Sequence, residues 1–211
     1  MDISSLRQEY TKAGLEIEDM AATPFAQFEK WFKQACDTQL LEPNAMSVST
    51  VSPEGIPSCR TVLLKAFDER GFVFFTNYTS KKAHDIAAHP HTALLFPWLA
   101  LERQVQIVGR TEKISTKESL AYFMSRPYGS QLGAWVSHQS QVISSRQLLL
   151  KKLDEMKRKF VEGKVPLPDF WGGFRVVPDT VEFWQGRPNR LHDRFQYTRN
   201  GTDWKVERLA P

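Results

Sequence analysis

Long apolar runs are missing from this 211-residue sequence. The longest, Ala93 to Leu101, is interrupted by Pro97 and falls far short of the ~20 residues a membrane-spanning helix needs. Cysteine is scarce: Cys36 and Cys59 are too few for a disulfide framework and point to a reducing compartment. The opening MDISSLRQEY has no basic start followed by an apolar stretch, so no secretory signal is expected, and the expected location is the cytoplasm. Neither G-x-G-x-x-G nor G-x-x-x-x-G-K-[ST] occurs, which removes the common dinucleotide and nucleoside-triphosphate loops. The five histidines, His84, His89, His91, His138 and His192, lack zinc-like spacing, and no metal site is expected. An excess of one charge sign is also lacking. With 28 basic and 24 acidic residues the net charge is +4, compatible with phosphorylated small molecules but not with a basic nucleic-acid tail.

What is present suits one large domain. At roughly 150 residues per domain the length gives about 1.4, and such a chain buries about 70% of its unfolded surface without a disulfide or metal. Thr23-Pro24 starts a helix that carries Phe25, Phe28, Trp31 and Phe32 as an aromatic stripe. From Ala45 the period changes to two. Strands are expected from Ala45, over Ser58 to Phe67, Phe72 to Thr76, Thr92 to Trp98 and Glu102 to Ile114, with a helix over Ser80 to His89. Ser115 to Glu118 is a capping box for a helix to about Met124, and another helix spans Ser145 to Phe160 with a solvated lysine face. The tail, Trp171 to Leu209, reads as three or four strands with turns at Pro178, Gly186 to Asn189 and Asn200-Gly201. Many strands with helices inserted predict an antiparallel α+β barrel or sandwich, not a doubly wound parallel sheet.

Four clusters carry the chemistry. Arg60 and Lys65 bracket an apolar strand. Thr76, Ser80, Lys81 and Lys82 meet at a strand-to-helix junction suited to an anion, although a capped surface helix would look the same. Tyr122, Arg126 and Ser130 combine hydroxyls with a guanidinium that can pair a phosphate bidentately. Arg190, His192 and Arg194 would share one face of a strand, where their charges call for an anion or an acid. The clusters suggest two phosphate-sized anion sites without naming the ligands.

The strings RTVLLK (60–65), FFTN (74–77), ERQV (102–105), SRP (125–127), VSHQS (136–140), FWGGFR (170–175), EFWQG (182–186) and NRLHDR (189–194) occur in an order that resembles the pyridoxine/pyridoxamine 5′-phosphate oxidase family. The resemblance runs from Leu6 to Pro211 and implies an FMN-binding split β-barrel, antiparallel and Greek-key-like, over residues 23–211, with a lid segment over 1–22. It implies that FMN is held by Arg60, Thr61, Val62, Leu63, Leu64 and Lys65, by Phe75 and Thr76, and by Lys81 and Lys82 near its phosphate. Gln104, Gln139, Ser140, Trp184 and Arg194 complete that site. The substrate phosphate meets Lys65, Tyr122, Arg126 and Ser130. Arg190, Leu191 and His192 lie at the pyridine ring, with Arg190 and His192 catalytic, and Arg7 and Tyr10 belong to the lid.

The implied reaction is oxidation of pyridoxine or pyridoxamine 5′-phosphate to pyridoxal 5′-phosphate. Hydride passes to FMN, dioxygen becomes hydrogen peroxide, and ammonia is released from the amine. The implied assembly is a homodimer with FMN at the interface. Two positions depart from the pattern the resemblance implies: Lys81 stands where arginine is usual, and Glu42 where aspartate occurs in some relatives. The rival readings are a split-barrel flavin reductase, a noncatalytic FMN or pyridoxal phosphate carrier, and nucleic-acid binding by the basic helix. The NRLHDR string and the Tyr122, Arg126 and Ser130 set disfavour the first two, and Asp154 and Glu155 within the helix disfavour the third.

Overall fold

A computed structural model of the chain describes residues 9–12, 14–137, 139–161 and 163–211. Its strands are β1 (Ala45–Val51), β2 (Pro57–Leu63), β3 (Ala66–Asp68), β4 (Gly71–Asn77), β5 (His91–Trp98), β6 (Arg103–Lys113), β7 (Trp171–Gln185), β8 (Asp193–Asn200) and β9 (Asp203–Leu209). Its helices are α1 (Pro24–Asp37), α2 (Lys81–Ala88), α3 (Thr116–Ser125), α4 (Tyr128–Val136) and α5 (Arg146–Lys159). All strand pairs are antiparallel, in the order β2-β1-β5-β6-β7-β4-β3, with β8 and β9 added beside β7.

The order forces curvature. β2 and β3 lie at opposite ends of that path, yet only Leu64 and Lys65 separate them, a link of no more than ~11 Å. The sheet therefore curls until its ends meet, giving the expected half-barrel. The corner is tied to both ends: Leu64 N–H donates to Asn44 O (2.8 Å) and Lys65 N–H to Val73 O (2.9 Å). The expected single strand from Ser58 to Phe67 is thus two, and Arg60 and Lys65 need not obey one strand's parity.

β7 is shared. Residues 171–176 pair with β4 and residues 180–185 with β8, while β6 runs along its other side. Pro178 is not the expected turn. It sits within β7 at a register shift, where Gly109 opposes Pro178 and Val108 opposes Thr180, a bulge that accommodates a residue with no N–H to donate. A Cβ on Gly109 would lie 2.1 Å from Val177 O, so the bulge excludes any side chain there.

Thr23 caps α1 by accepting from Ala26 N–H (3.2 Å), and Pro24 is the first helical residue. Phe25, Phe28 and Trp31 are buried as expected, and Phe32 is half-buried. Phe28 contacts Phe72 of β4 and Phe96 of β5, each at 5.0 Å between ring centroids, and Trp31 meets Phe183 of β7. A second, smaller core of Phe123, Leu132, Ala134, Val165 and Trp171 joins α3 and α4 to the start of β7. α4 has no counterpart in the sequence-based expectation. Gly129 and Gly133 depress its intrinsic helicity, and burial of Leu132, Ala134 and Val136 overrides that.

Candidate active site

A cavity of about 700 Å³ opens between β2, β4, α3 and α4, and its walls bring together residues of both clusters expected to meet phosphate. Among the described residues β2 pairs only with β1, so one of its backbone edges is free of the ladder, and residues 60–63 all border the cavity. Lys65, Phe75, Thr76, Lys82, Tyr122, Arg126, Ser130 and Gln139 also line it. Leu64 does not. Its side chain lies in the core, and Asn44 takes both its N–H (2.8 Å) and its carbonyl (3.0 Å).

At one end stands Lys82, 7% exposed, whose Nζ donates to Gln139 Oε1 (2.6 Å) and Thr76 Oγ1 (3.0 Å). Burial, and then the neighbouring Arg60 charge, push its ammonium down to about 8. Arg60 donates to Thr50 Oγ1 (2.7 Å), Ser58 Oγ (2.6 Å) and Val48 O (3.1 Å). Thr50 and Ser58 in turn donate to the buried Asp85, a residue the sequence reading missed although it stands four positions after Lys81 on α2. Burial pushes the Asp85 carboxyl up, but hydrogen bonds from Thr50, Lys81 and Ser58 outweigh this and hold it below the usual range. Lys81 turns to Asp85 (3.1 Å), is half-exposed, and does not line the cavity. The hydroxyl of Ser140, a residue with φ of 75°, accepts from Lys81 N–H (3.3 Å) at the start of α2, outside the cavity lining.

A pH dependence follows. A phosphate dianion, whose second pKa is about 6, gains most from Lys82 while the lysine is protonated. With Lys82 at the FMN phosphate, as the resemblance implies, FMN affinity for the apoprotein is expected to be highest between about pH 6 and 8 and to fall as pH rises through about 8. Lys82→Met is expected to flatten the decline, as read from quenching of flavin fluorescence. An identical slope in the variant would remove Lys82 as its source.

At the other end are Lys65, Tyr122, Arg126 and Ser130. Arg126 lies just beyond the last turn of α3, which carries Tyr122. Pro127 disfavours helical backbone at the preceding residue, and Arg126 caps α3 with φ −76° and ψ 148°. Both side chains reach the cavity nevertheless, and Ser130 joins them from the first turn of α4. Among the described residues neither Lys65 nor Arg126 pairs with a carboxylate, and Arg126 Nη1 is buried with no hydrogen-bond acceptor. Arg60 lies 3.9 Å from Asp85 at the first end, but among the described residues Lys82 there, like Lys65 and Arg126 here, has no carboxylate partner, which suits a ligand or ligand pair carrying two phosphates.

The remaining expected residues gather elsewhere. Register aligns Gln104, Trp184 and Arg194 in one row across β6, β7 and β8, so they share a face. Arg194 makes a bidentate pair with the buried Glu182 (2.8 and 3.0 Å). Arg190, His192 and Arg194 do not share one strand face. Pro188 opens a 3₁₀ turn, Asn189 and Arg190 have positive φ (56° and 61°), and β8 begins only at Asp193. His192 packs against Trp184 (4.5 Å between centroids) and Tyr10 (5.6 Å), and its Nδ1 accepts from Arg187 N–H (3.1 Å). Burial, then the Arg190 charge, depress the imidazole pKa against the pull of Asp193. Leu191 is exposed beside it.

The segment bearing Tyr10 is strapped down. Thr11 and Lys12 N–H groups donate to Glu102 (3.0 and 3.1 Å), and Leu15 N–H donates to Asp193 (3.0 Å). Arg7 lies outside the described residues.

The family model described as "Pyridoxamine 5'-phosphate oxidase" matches residues 32–160, and that for the "Pyridoxine 5'-phosphate oxidase C-terminal dimerisation region" matches residues 171–211. The chain belongs to the pyridoxamine 5′-phosphate oxidase family. A family member from Rippkaea orientalis, named pyridoxine/pyridoxamine 5′-phosphate oxidase, is 63% identical over 212 residues and covers both chains completely. Among solved structures, PhzG from Burkholderia lata 383 in complex with tetrahydrophenazine-1-carboxylic acid superimposes with a TM-score of 0.89. It is 27% identical and covers 97% of this chain and 100% of its own. A pyridoxamine 5′-phosphate oxidase-related, FMN binding protein from Nostoc punctiforme PCC 73102 shares the fold, with a TM-score of 0.73 at 18% identity, covering 91% of this chain and 100% of its own. The dimerisation match spans β7, β8 and β9, with Trp184 on β7, Arg194 on β8 and His192 in the turn between them. No helix among the described residues is long and apolar enough to cross a membrane.

Proposed function

We infer that this chain oxidises pyridoxine 5′-phosphate and pyridoxamine 5′-phosphate to pyridoxal 5′-phosphate with FMN as cofactor. The observation that carries the reading is the single cavity with a cationic cluster at each end, one around Lys82 and Arg60 and one around Lys65 and Arg126. The chemistry that FMN supplies when bound is two-electron oxidation, with dioxygen as final acceptor and hydrogen peroxide as product. Lys82, Thr76, Gln139 and Arg60 would hold its phosphate, with Lys81 and Ser140 nearby at the start of α2. The free edge of β2 and the ring of Phe75 would face its flat part.

Lys65, Tyr122, Arg126 and Ser130 would hold the substrate phosphate. Charge-assisted bonds at ~1.5–3 kcal/mol each make three or four of them a strong filter against the unphosphorylated vitamin. Anchoring at both ends serves the reaction because hydride transfer needs its partners ~3–3.5 Å apart in fixed orientation. His192 accepts at Nδ1, so its proton sits on Nε2, and its depressed pKa keeps it neutral near pH 7. With Arg190 it would present an N–H donor and a guanidinium to the substrate ring, while Tyr10 and Trp184 pack against the imidazole and fix its plane.

The two residue groups lie on different parts of one subunit, which supports a homodimer in which Gln104, Trp184, Arg190, His192 and Arg194 of one copy complete the cavity of the other. The deciding assay reconstitutes the protein with FMN, adds pyridoxamine 5′-phosphate under air, and follows aldehyde, ammonia and peroxide. Equimolar formation of all three is expected, with pyridoxamine itself turned over far more slowly. A preparation that binds no flavin, or oxidises neither phosphorylated substrate, would overturn the reading.

A further inference from the structure

Arg126 is held in place by a residue that has no role in the reading above. Its guanidinium carbon lies 4.6 Å from the centroid of the Trp171 ring, and the nearest alternative, Phe123, is at 5.8 Å. Nη1 of the same guanidinium is buried with no hydrogen-bond acceptor, an arrangement that is costly unless an aromatic face receives it. Trp171 can serve because it is itself fixed. It is 8% exposed, its backbone N–H donates to Pro168 O (3.2 Å), and it opens β7 opposite Asn77. Its ring continues a near-parallel ladder, 5.4 Å and 14° from Phe75, which in turn stacks on Tyr122 at 3.9 Å and 23°.

We propose that Trp171 is a positioning residue for phosphate recognition: its indole face seats the Arg126 guanidinium and leaves the remaining N–H groups directed to the substrate phosphate. A carboxylate would seat the same guanidinium more tightly, but it would neutralise the charge the phosphate needs. An indole holds the cation and leaves its charge uncompensated. Tyr122 stands in the same ladder, so one stack orders two of the phosphate contacts. This rests on the assignment of Arg126 to the substrate phosphate.

The test uses FMN-loaded enzyme and steady-state oxidation of pyridoxamine 5′-phosphate. Trp171→Leu is expected to raise KM about 10-fold while kcat stays within about 2-fold and flavin content is unchanged. Trp171→Phe, which keeps a ring face, is expected to stay within about 3-fold of wild type in KM. In an Arg126→Ala background Trp171→Leu is expected to add less than 2-fold, because the guanidinium it seats is gone. Trp171→Met carries the same expectation as the leucine variant and replaces it if that variant does not accumulate as flavin-loaded protein. An unchanged KM, a fall confined to kcat, or a full additional effect on top of Arg126→Ala would overturn the proposal. Wild-type turnover measured alongside separates the cases: its absence removes the functional reading, and its presence with an unmoved variant KM removes only the role of Trp171.

Discussion

Replacing His192 by alanine is expected to lower kcat by at least about 100-fold with FMN content at the wild-type level. His192 does not line the cavity of its own subunit, so its loss should not touch the phosphate cradle at Lys82. It is, however, wedged between Tyr10 and Trp184 with one nitrogen committed to Arg187 N–H, which leaves one N–H donor in a fixed direction. Removal of such a positioned group typically costs 10²–10⁴ in rate. Arg190→Ala is expected to behave alike, since its guanidinium would meet the substrate ring beside the imidazole. The sign with pH also follows. The His192 pKa lies below its usual ~6.5, so the imidazole is neutral above that depressed value, and kcat should fall only as pH drops through it. Wild-type turnover in either variant, measured as aldehyde release at saturating substrate, would refute these roles.

Mixed dimers provide the second large effect. One copy carrying Arg126→Ala and one carrying His192→Ala, purified through two different tags, are expected to show about half the wild-type kcat/KM. Either variant alone should show about 1% or less. The reason is geometric. Phe75, at the cavity, pairs with Gly173, whereas Trp184 pairs with Arg194 eleven residues further along β7, roughly 35 Å of strand at ~3.3 Å per residue. If two subunits complete each other's cavities, a mixed dimer concentrates both lesions in one site and leaves the other intact. Activity no higher than that of the parent variants would mean that each chain builds its site alone.

Much of the fold was legible locally. Thr23-Pro24, the Ser115–Glu118 box and the Asn200-Gly201 turn are short-range signals whose physics is complete within a few residues, and each falls where expected. Pro178 and the Arg190–Arg194 stretch went wrong for one reason: period-two patterning does not report on bulges or on backbone with positive φ. α4 escaped notice because its helicity comes from packing against Trp171 and its neighbours rather than from propensity. Asp85 had a visible i,i+4 relation to Lys81, but its partners Thr50 and Ser58 are assembled only by the β1–β2 pairing. Trp171 lies in the FWGGFR string, but nothing local ties it to Arg126, 45 residues away, whose guanidinium it stacks on.

The residues by themselves determined the inventory: which side chains could bind phosphates, roughly where most strands and the α1 and α3 caps lie, and which family the order of the strings resembles. Only the tertiary structure decided how that inventory is divided. Curling of the sheet brings β2, the Leu64–Lys65 corner and the α3–α4 turn around one cavity, while the shared strand β7 carries Trp184 and the His192 turn away from it. That division depends on sheet curvature and long-range register. Both are set by contacts between residues far apart in sequence, where periodicity and local propensity hold no information.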